Sequence, residues 1–188
     1  MWADQALQRF VKDYPNVKRV LDVGSGAGEH AEVMRSHGMD VTEVDLRKGR
    51  DYNQTKFDLY FDGIWCSHVL EHQLNVNRFL TKLRYDLKVG GILAISVPPL
   101  KNAIVGGHVT LWNAGLLLYN LILAGWDCST ARVGRYDYNI SVIVPRKDIL
   151  DMPTLAYDTG DIELLAPYFP FPVAHGFNGA NCVVNWGK

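Results

Sequence analysis

Two carboxylates and a run of glycines carry the first chemical signal in this chain of 188 residues. Asp22 stands in the apolar run Val20-Leu21-Asp22-Val23, and Gly24-Ser25-Gly26-Ala27-Gly28 follows directly. The pattern is that of a buried strand stopping at a glycine-rich turn and reopening as a helix. Glycines supply positive φ, and a loop lacking Cβ atoms at a helix start lets a ligand approach backbone N–H groups. Asp45 lies 23 positions beyond Asp22, at the end of the next strand-like segment. A carboxylate there is placed to accept from the ribose hydroxyls of an adenosine-containing ligand. Plainer duties compete: Asp22 also suits turn capping, and Asp45 a solvated strand end.

The glycine spacing narrows the ligand. A dinucleotide fingerprint asks for Gly-x-Gly-x-x-Gly, whereas these glycines fall at 24, 26 and 28 and position 29 is Glu. No Gly-Lys-Ser/Thr follows, as a phosphate-binding P-loop requires. Glu29 at the helix start is a poor neighbour for a pyrophosphate. The Asp-x-Gly-x-Gly-x-Gly pattern instead resembles the first motif of the class I S-adenosylmethionine-dependent methyltransferases, whose cofactor carries a sulfonium and an amino acid but no phosphate. Phe61-Asp62-Gly63-Ile64-Trp65-Cys66-Ser67-His68-Val69-Leu70-Glu71-His72 is similar to that family's fourth motif. Leu87-Lys88-Val89-Gly90-Gly91, leading into Ile92–Pro98, resembles its leucine–lysine–proline–glycine–glycine turn and fifth strand, with Val89 in place of proline. The matches run in order over about residues 18–98.

The resemblance implies S-adenosyl-L-methionine as cofactor and assigns expected roles. Asp22 organises the loop and reaches the amino-acid end of the cofactor, beside Gly24, Ser25 and Gly26. Asp45 and Leu46 follow the second strand at the ribose. Asp51 is the acidic candidate for the adenine amino group, and Tyr52 either stacks on adenine or packs. Ser67 and His68 follow the fourth strand, where the family touches both the methionine moiety and the acceptor. His72 is expected to order the start of the next helix. Some family members hold a divalent metal near here, but a Glu71–His72 pair offers too few ligands, so no metal is expected.

Methyl transfer needs the nucleophile, carbon and sulfur held in line in a dry pocket, and an attacking hydroxyl also needs a base. His108, in Val105-Gly106-Gly107-His108-Val109, is the expected catalytic base, since its loop follows the fifth strand and its intrinsic pKa suits proton uptake. Ordering of that loop is the competing role. The acidic-or-Asn-Pro-Pro-aromatic platform of base methyltransferases is missing after the fourth strand, and no Pro-Cys pair exists for cytosine-C5 chemistry. Nucleic acid is therefore not the expected partner. A small-molecule or saccharide acceptor, methylated on oxygen, is expected, with glycan O-methylation as a refinement. Two other readings stay open: an NAD-dependent oxidoreductase on a Rossmann-like fold, and a non-catalytic cofactor-binding scaffold subunit.

The elements that must hold these residues are legible from pattern. Residues 4–13 form an amphipathic helix, 18–23 a first strand, 27–36 a helix and 39–44 a second strand. A third strand is expected within 50–60, a fourth at 63–67, and a helix carries Val76, Phe79, Leu80, Leu83 and Leu87 on one face. After the fifth strand, Thr110 is placed to cap an apolar helix, and 127–133 and 140–144 read as a closing strand pair. Alternation of strand and helix argues an α/β, doubly wound sheet. The resemblance implies seven strands, mostly parallel, with helices on both faces and the last strand antiparallel. One domain is expected over 1–188, with a cofactor-binding half at about 18–98 and an acceptor side with an irregular tail at 99–188. Hydrophobic content of 48%, charged content of 21% and a formal charge of −1 suit a soluble globular chain with no pull toward phosphate backbones or anionic lipid. The apolar stretch 111–123 is too short for a membrane span, no signal peptide is visible, and the three cysteines lack metal spacing. A cytoplasmic location is the expectation, and the oligomeric state is not readable.

Overall fold

The computed structural model describes residues 2–187. Six strands form one sheet in the order β2-β1-β3-β4-β6-β5. They are β1 (Arg19–Val23), β2 (Asp40–Val44), β3 (Phe61–Ser67), β4 (Leu87–Val97), β5 (Arg132–Tyr136) and β6 (Asn139–Pro145). The pairs joining β2, β1, β3 and β4 are parallel, and β6 runs antiparallel to both β4 and β5. The doubly wound sheet with an antiparallel last strand is as expected.

The strands feed two cores because their side chains alternate with period 2. Leu21, Ile64, Cys66, Leu93, Ile95 and Val142 point to one core. Val20, Trp65, Ile92, Ala94 and Ile143 point to the other. The first is covered by α3 (Val76–Asp86), through Phe79, Leu80 and Leu83, and by α4 (Ala114–Leu123), through Leu117, Leu118, Leu121 and Ile122. The second is covered by α1 (Asp4–Asp13), through Ala6, Leu7, Phe10 and Val11, and by α2 (Glu29–Ser36), through Ala31 and Met34. α4 is capped by Asn113, whose Oδ1 accepts from Leu116 N at 2.8 Å. Thr110, expected as the cap, instead donates its hydroxyl to Leu70 O and accepts from Trp112 Nε1.

The strand expected within 50–60 is not formed: among the described residues the sheet has six strands, and this segment is a set of turns. Asp51 accepts from Asn53 N at 2.9 Å and from Gln54 Nε2 at 2.9 Å, which closes the chain on itself. Tyr52 then donates to Asp86 Oδ2 at 2.7 Å and packs edge-on against Phe79. The segment is thus anchored on α3 rather than on the exposed edge of β2. At the opposite edge, β5 begins at Arg132 rather than 127, and the chain end covers it. Val133 and Val184 exchange backbone hydrogen bonds of 2.8 and 3.0 Å, and Trp186 stacks on Tyr136. Between Gly90 and Arg146, and between Arg146 and Gly91, further backbone bonds pin the tail's start to β4. A short helix α5 (Asp161–Leu165) lies within the tail. Among the described residues no helix is long and apolar enough to cross a membrane.

Candidate functional site

The loop after β1 is shaped by positive φ at Gly24 (76°), Gly26 (52°) and Gly28 (91°). A Cβ on Gly24 would lie 2.2 Å from Val69 Cγ2, so only glycine lets this loop sit against the segment after β3. A Cβ on Gly26 would meet nothing within 4 Å, so the loop's crest faces open space. Gly24 N donates to Val44 O at 2.8 Å, and Gly26 N donates to Asp45 Oδ2 at 2.8 Å. Asp45 Oδ1 accepts from Arg47 N at 2.7 Å. Asp45 therefore locks the glycine loop to the end of β2, and each of its oxygens keeps a lone pair for another donor.

Beneath the loop, Asp22 is 1% exposed, and its Oδ2 has no hydrogen-bond partner among the described residues. Burial, with the neighbouring Glu43 carboxylate, raises its pKa to about 7. Glu43 itself is held down to about 2 by Lys48 and Arg35, which both hydrogen-bond its carboxylate. A buried carboxyl with an unused oxygen is costly unless a donor or cation arrives to use it.

A cleft of about 360 Å³ opens over the carboxyl ends of β1, β2 and β3. Gly24, Gly26, Asp45, Leu46, Asp51 and His68 line it, as do Tyr52, Val69, His72 and Phe79, with Arg47 and Arg50 at its margin. Its volume falls within the range of small-molecule sites. Leu46 is 74% exposed, an apolar side chain left at the rim. Of the other expected binding residues, Asp22 and Ser25 are buried and do not line the cleft, and neither does Ser67. The Ser67 hydroxyl is buried with no partner among the described residues.

His68 adopts φ 55° and sits in a fixed bond network. Asn139 Oδ1 accepts from Ala3 N at 3.1 Å and lies 2.9 Å from His68 Nε2. An atom that accepts from a backbone N–H is an oxygen, so His68 Nε2 is the donor. The other ring nitrogen faces Glu71 Oε1 at 3.4 Å, and Glu71 is 1% exposed. Burial alone lowers the His68 pKa, but the bonds to Glu71 and Asn139 outweigh it and the net shift is upward. With one ring nitrogen donating to Asn139 and the other facing Glu71, the His68 ring is fixed in place.

His108 lies elsewhere than the cleft. It lines a second cavity of about 190 Å³ beyond the end of β4, and its ring meets His72 edge-to-face at 5.0 Å. His72 Nδ1 is 2.7 Å from Gly107 O, and Val109 N and Thr110 N donate to Glu71 O. The 105–110 loop is thereby docked on the Leu70–His72 turn, which sets His108, lining the cavity, against His72, lining the cleft. Glu71, His72 and His108 place one possible ligating atom each within 4.8 Å of one another. The fold thus adds a third group to the Glu71–His72 pair of the sequence. His72 itself, read from sequence as a helix-ordering residue, lines the cleft. Asn139 carried no signal in sequence, since it reaches His68 only through the β5–β6 hairpin.

The residues present suit an adenosyl cofactor of the kind the sequence implies. The glycine crest leaves room against the backbone, Asp45 faces the cleft, and Asp22 keeps an unused oxygen below. Comparison with known proteins gives the same direction. Residues 2–122 match the family described as Methyltransferase domain. The ubiquinone biosynthesis O-methyltransferase of Rickettsia typhi is 32% identical over 98 residues, covering 42% of this chain and 40% of that protein. The Rickettsia canadensis protein of the same name is 25% identical over 177 residues, covering 82% of this chain and 67% of its own. The chain thus spans well under half the length of the first of these relatives. Among solved structures, the Burkholderia thailandensis 1,6-didemethyltoxoflavin-N1-methyltransferase with bound S-adenosylhomocysteine superposes with a TM-score of 0.63 at 19% identity, over 78% of this chain and 81% of that one. CalS10, an amino pentose methyltransferase from Micromonospora echinaspora solved with SAM bound, gives 0.61 at 14% identity, over 78% and 92%. With its glycine loop, its sheet order and a family match over more than half its length, the chain belongs to the methyltransferase domain family, the class I S-adenosylmethionine-dependent methyltransferases.

Proposed function

We propose that this protein transfers a methyl group from S-adenosylmethionine to an oxygen of a small-molecule or saccharide acceptor. The single observation that carries the reading is the pairing of the glycine-walled cleft, lined by His72, with a neighbouring cavity lined by His108, the two rings in contact. One compartment suits an adenosyl cofactor, and the other suits an acceptor. The cofactor, when bound, supplies an activated methyl on a sulfonium. Asp45 and the backbone of Gly24–Gly26 hold the nucleoside end, and Leu46 covers the base. Asp22, buried below the glycine loop with one oxygen unused, reaches the cationic amino-acid end through water. Asp51, whose carboxylate already serves its own turn, retains lone pairs for the adenine amino group. His68, fixed by Asn139 and Glu71, borders the methionine end. His108 takes the acceptor proton as the hydroxyl attacks, and the apolar walls exclude water.

Calorimetric titration with S-adenosylhomocysteine and a screen of acceptors, scored by S-adenosylhomocysteine release, test the reading together. Micromolar cofactor binding and turnover with a hydroxyl acceptor are expected. His108→Ala should lower kcat about 10²-fold without changing cofactor affinity. Tight NAD(H) binding with none of the other cofactor would overturn the proposal in favour of an oxidoreductase. Cofactor binding with no turnover, and no effect of His108→Ala, would leave a scaffold subunit.

A further inference from the structure

The second cavity has a composition of its own. Pro98 and Pro99, which end β4, form one side, and Leu100, Val109, Leu111 and Trp112 form others. Among the described residues no carboxylate or carboxamide side chain lines it. Its polar groups are Lys101, His108, Thr110 and Tyr138. Thr110 is already committed, accepting from Trp112 Nε1 at 3.0 Å and donating to Leu70 O. Lys101 Nζ lies 4.0 Å from the centre of the Tyr138 ring and forms no ion pair among the described residues. The cavity is therefore apolar on most sides, with one ammonium not balanced by a carboxylate, one phenol and one imidazole.

That inventory discriminates between acceptor classes. A saccharide presents several hydroxyls around its ring, and each one buried without a partner costs free energy. Sites that select sugars meet those hydroxyls with carboxylates and carboxamides, and none lines this cavity. A flat ring loses nothing against proline, leucine and tryptophan walls. An anionic substituent gains a charge-assisted bond from Lys101. The volume of about 190 Å³ has room for one substituted ring. Resting on the methyltransferase reading above, we propose that this cavity is the acceptor site and that it selects a single-ring, mainly apolar acceptor bearing one anionic group, with Lys101 as the specificity residue.

Ligand-observed NMR titration of the full chain, with and without saturating S-adenosylhomocysteine, tests this with benzoate, phenol and glucuronate as probes. Benzoate is expected to bind about tenfold more tightly than phenol or glucuronate. Lys101 is exposed, so Lys101→Met should leave the fold and S-adenosylhomocysteine affinity unchanged while removing that tenfold preference. Narrowing of the cavity by Leu100→Trp should weaken benzoate and phenol alike. Glucuronate binding at least as well as benzoate, an unaltered preference in Lys101→Met, or displacement of benzoate by S-adenosylhomocysteine would each overturn the assignment. A chain that fails to bind S-adenosylhomocysteine yet keeps the Lys101-dependent benzoate preference would overturn the methyltransferase reading and leave this cavity's selectivity standing.

Discussion

Asp22 shows how a single buried carboxyl couples folding to pH. Its carboxyl titrates near 3.8 in an unfolded chain and near 7 in the folded one, chiefly through burial. The unfolded chain thus sheds this proton first as pH rises, so Asp22 lowers stability progressively between those two values, by at most about 4 kcal/mol. Asp22→Asn is expected to raise the melting temperature at pH 8 and leave it unchanged at pH 4. A variant no more stable than the parent at pH 8 would contradict the burial argument. A cation arriving at the unused oxygen favours the ionised form. Affinity for S-adenosylhomocysteine should therefore fall up to about tenfold per pH unit below pH 7, and Asp22→Asn should flatten that dependence. Glu43 and Asp148 work with the opposite sign. Lys48 and Arg146, respectively, lead in holding each near 2, so their stabilisation is present above the usual carboxylate range and lost as pH falls toward 2. Asp45 needs no titration to matter: Asp45→Ala removes the acceptor of Gly26 N and should weaken cofactor binding about 10–100-fold by calorimetry.

At the scale of elements, the site depends on how closely the loop after β1 approaches the segment after β3. Gly24→Ala places a Cβ 2.2 Å from Val69 Cγ2 and puts a side chain at φ 76°. A loss of about 1–3 kcal/mol in urea unfolding is expected, together with weaker cofactor binding. Adding Val69→Ala relieves the contact but not the backbone strain, so the double variant should recover only part of the loss. Full recovery would mean that the positive φ costs nothing here. The turn segment 50–60 makes the same point differently. Its Asp51 and Tyr52 reach the cleft because Tyr52 is anchored to Asp86 on α3, not because a strand carries them.

For the molecule as a whole, the segment holding Val184 and Trp186 belongs to the fold. Val184 pairs with Val133 on the edge strand β5, and Trp186 lies where a Cβ on Gly134 would stand only 2.2 Å from its ring. The Arg9 guanidinium sits 5.0 Å from the Trp186 ring centre, tying α1 to the same place. An edge strand covered in this way is withheld from pairing with other chains. Trp186→Ala should lower stability by about 2 kcal/mol and promote association at high concentration, seen by urea denaturation and light scattering. Cofactor affinity should be unaffected, because Trp186 does not line the cleft.

Local pattern by itself determined the apolar strands, the glycine loop between Val23 and Glu29, and the carboxylates at 22 and 45. These follow from short-range rules: period-2 burial, φ preferences, and the spacing of one strand–helix–strand unit. The amphipathic helix at 4–13 was legible to the residue for the same reason. Tertiary structure alone decided that 50–60 closes into turns on α3, that Asn139 meets His68 across 71 positions, and that His108 faces its own cavity rather than the cleft. Such outcomes depend on which elements become neighbours, and long-range packing and hydrogen bonding choose those neighbours with no local periodicity to announce them.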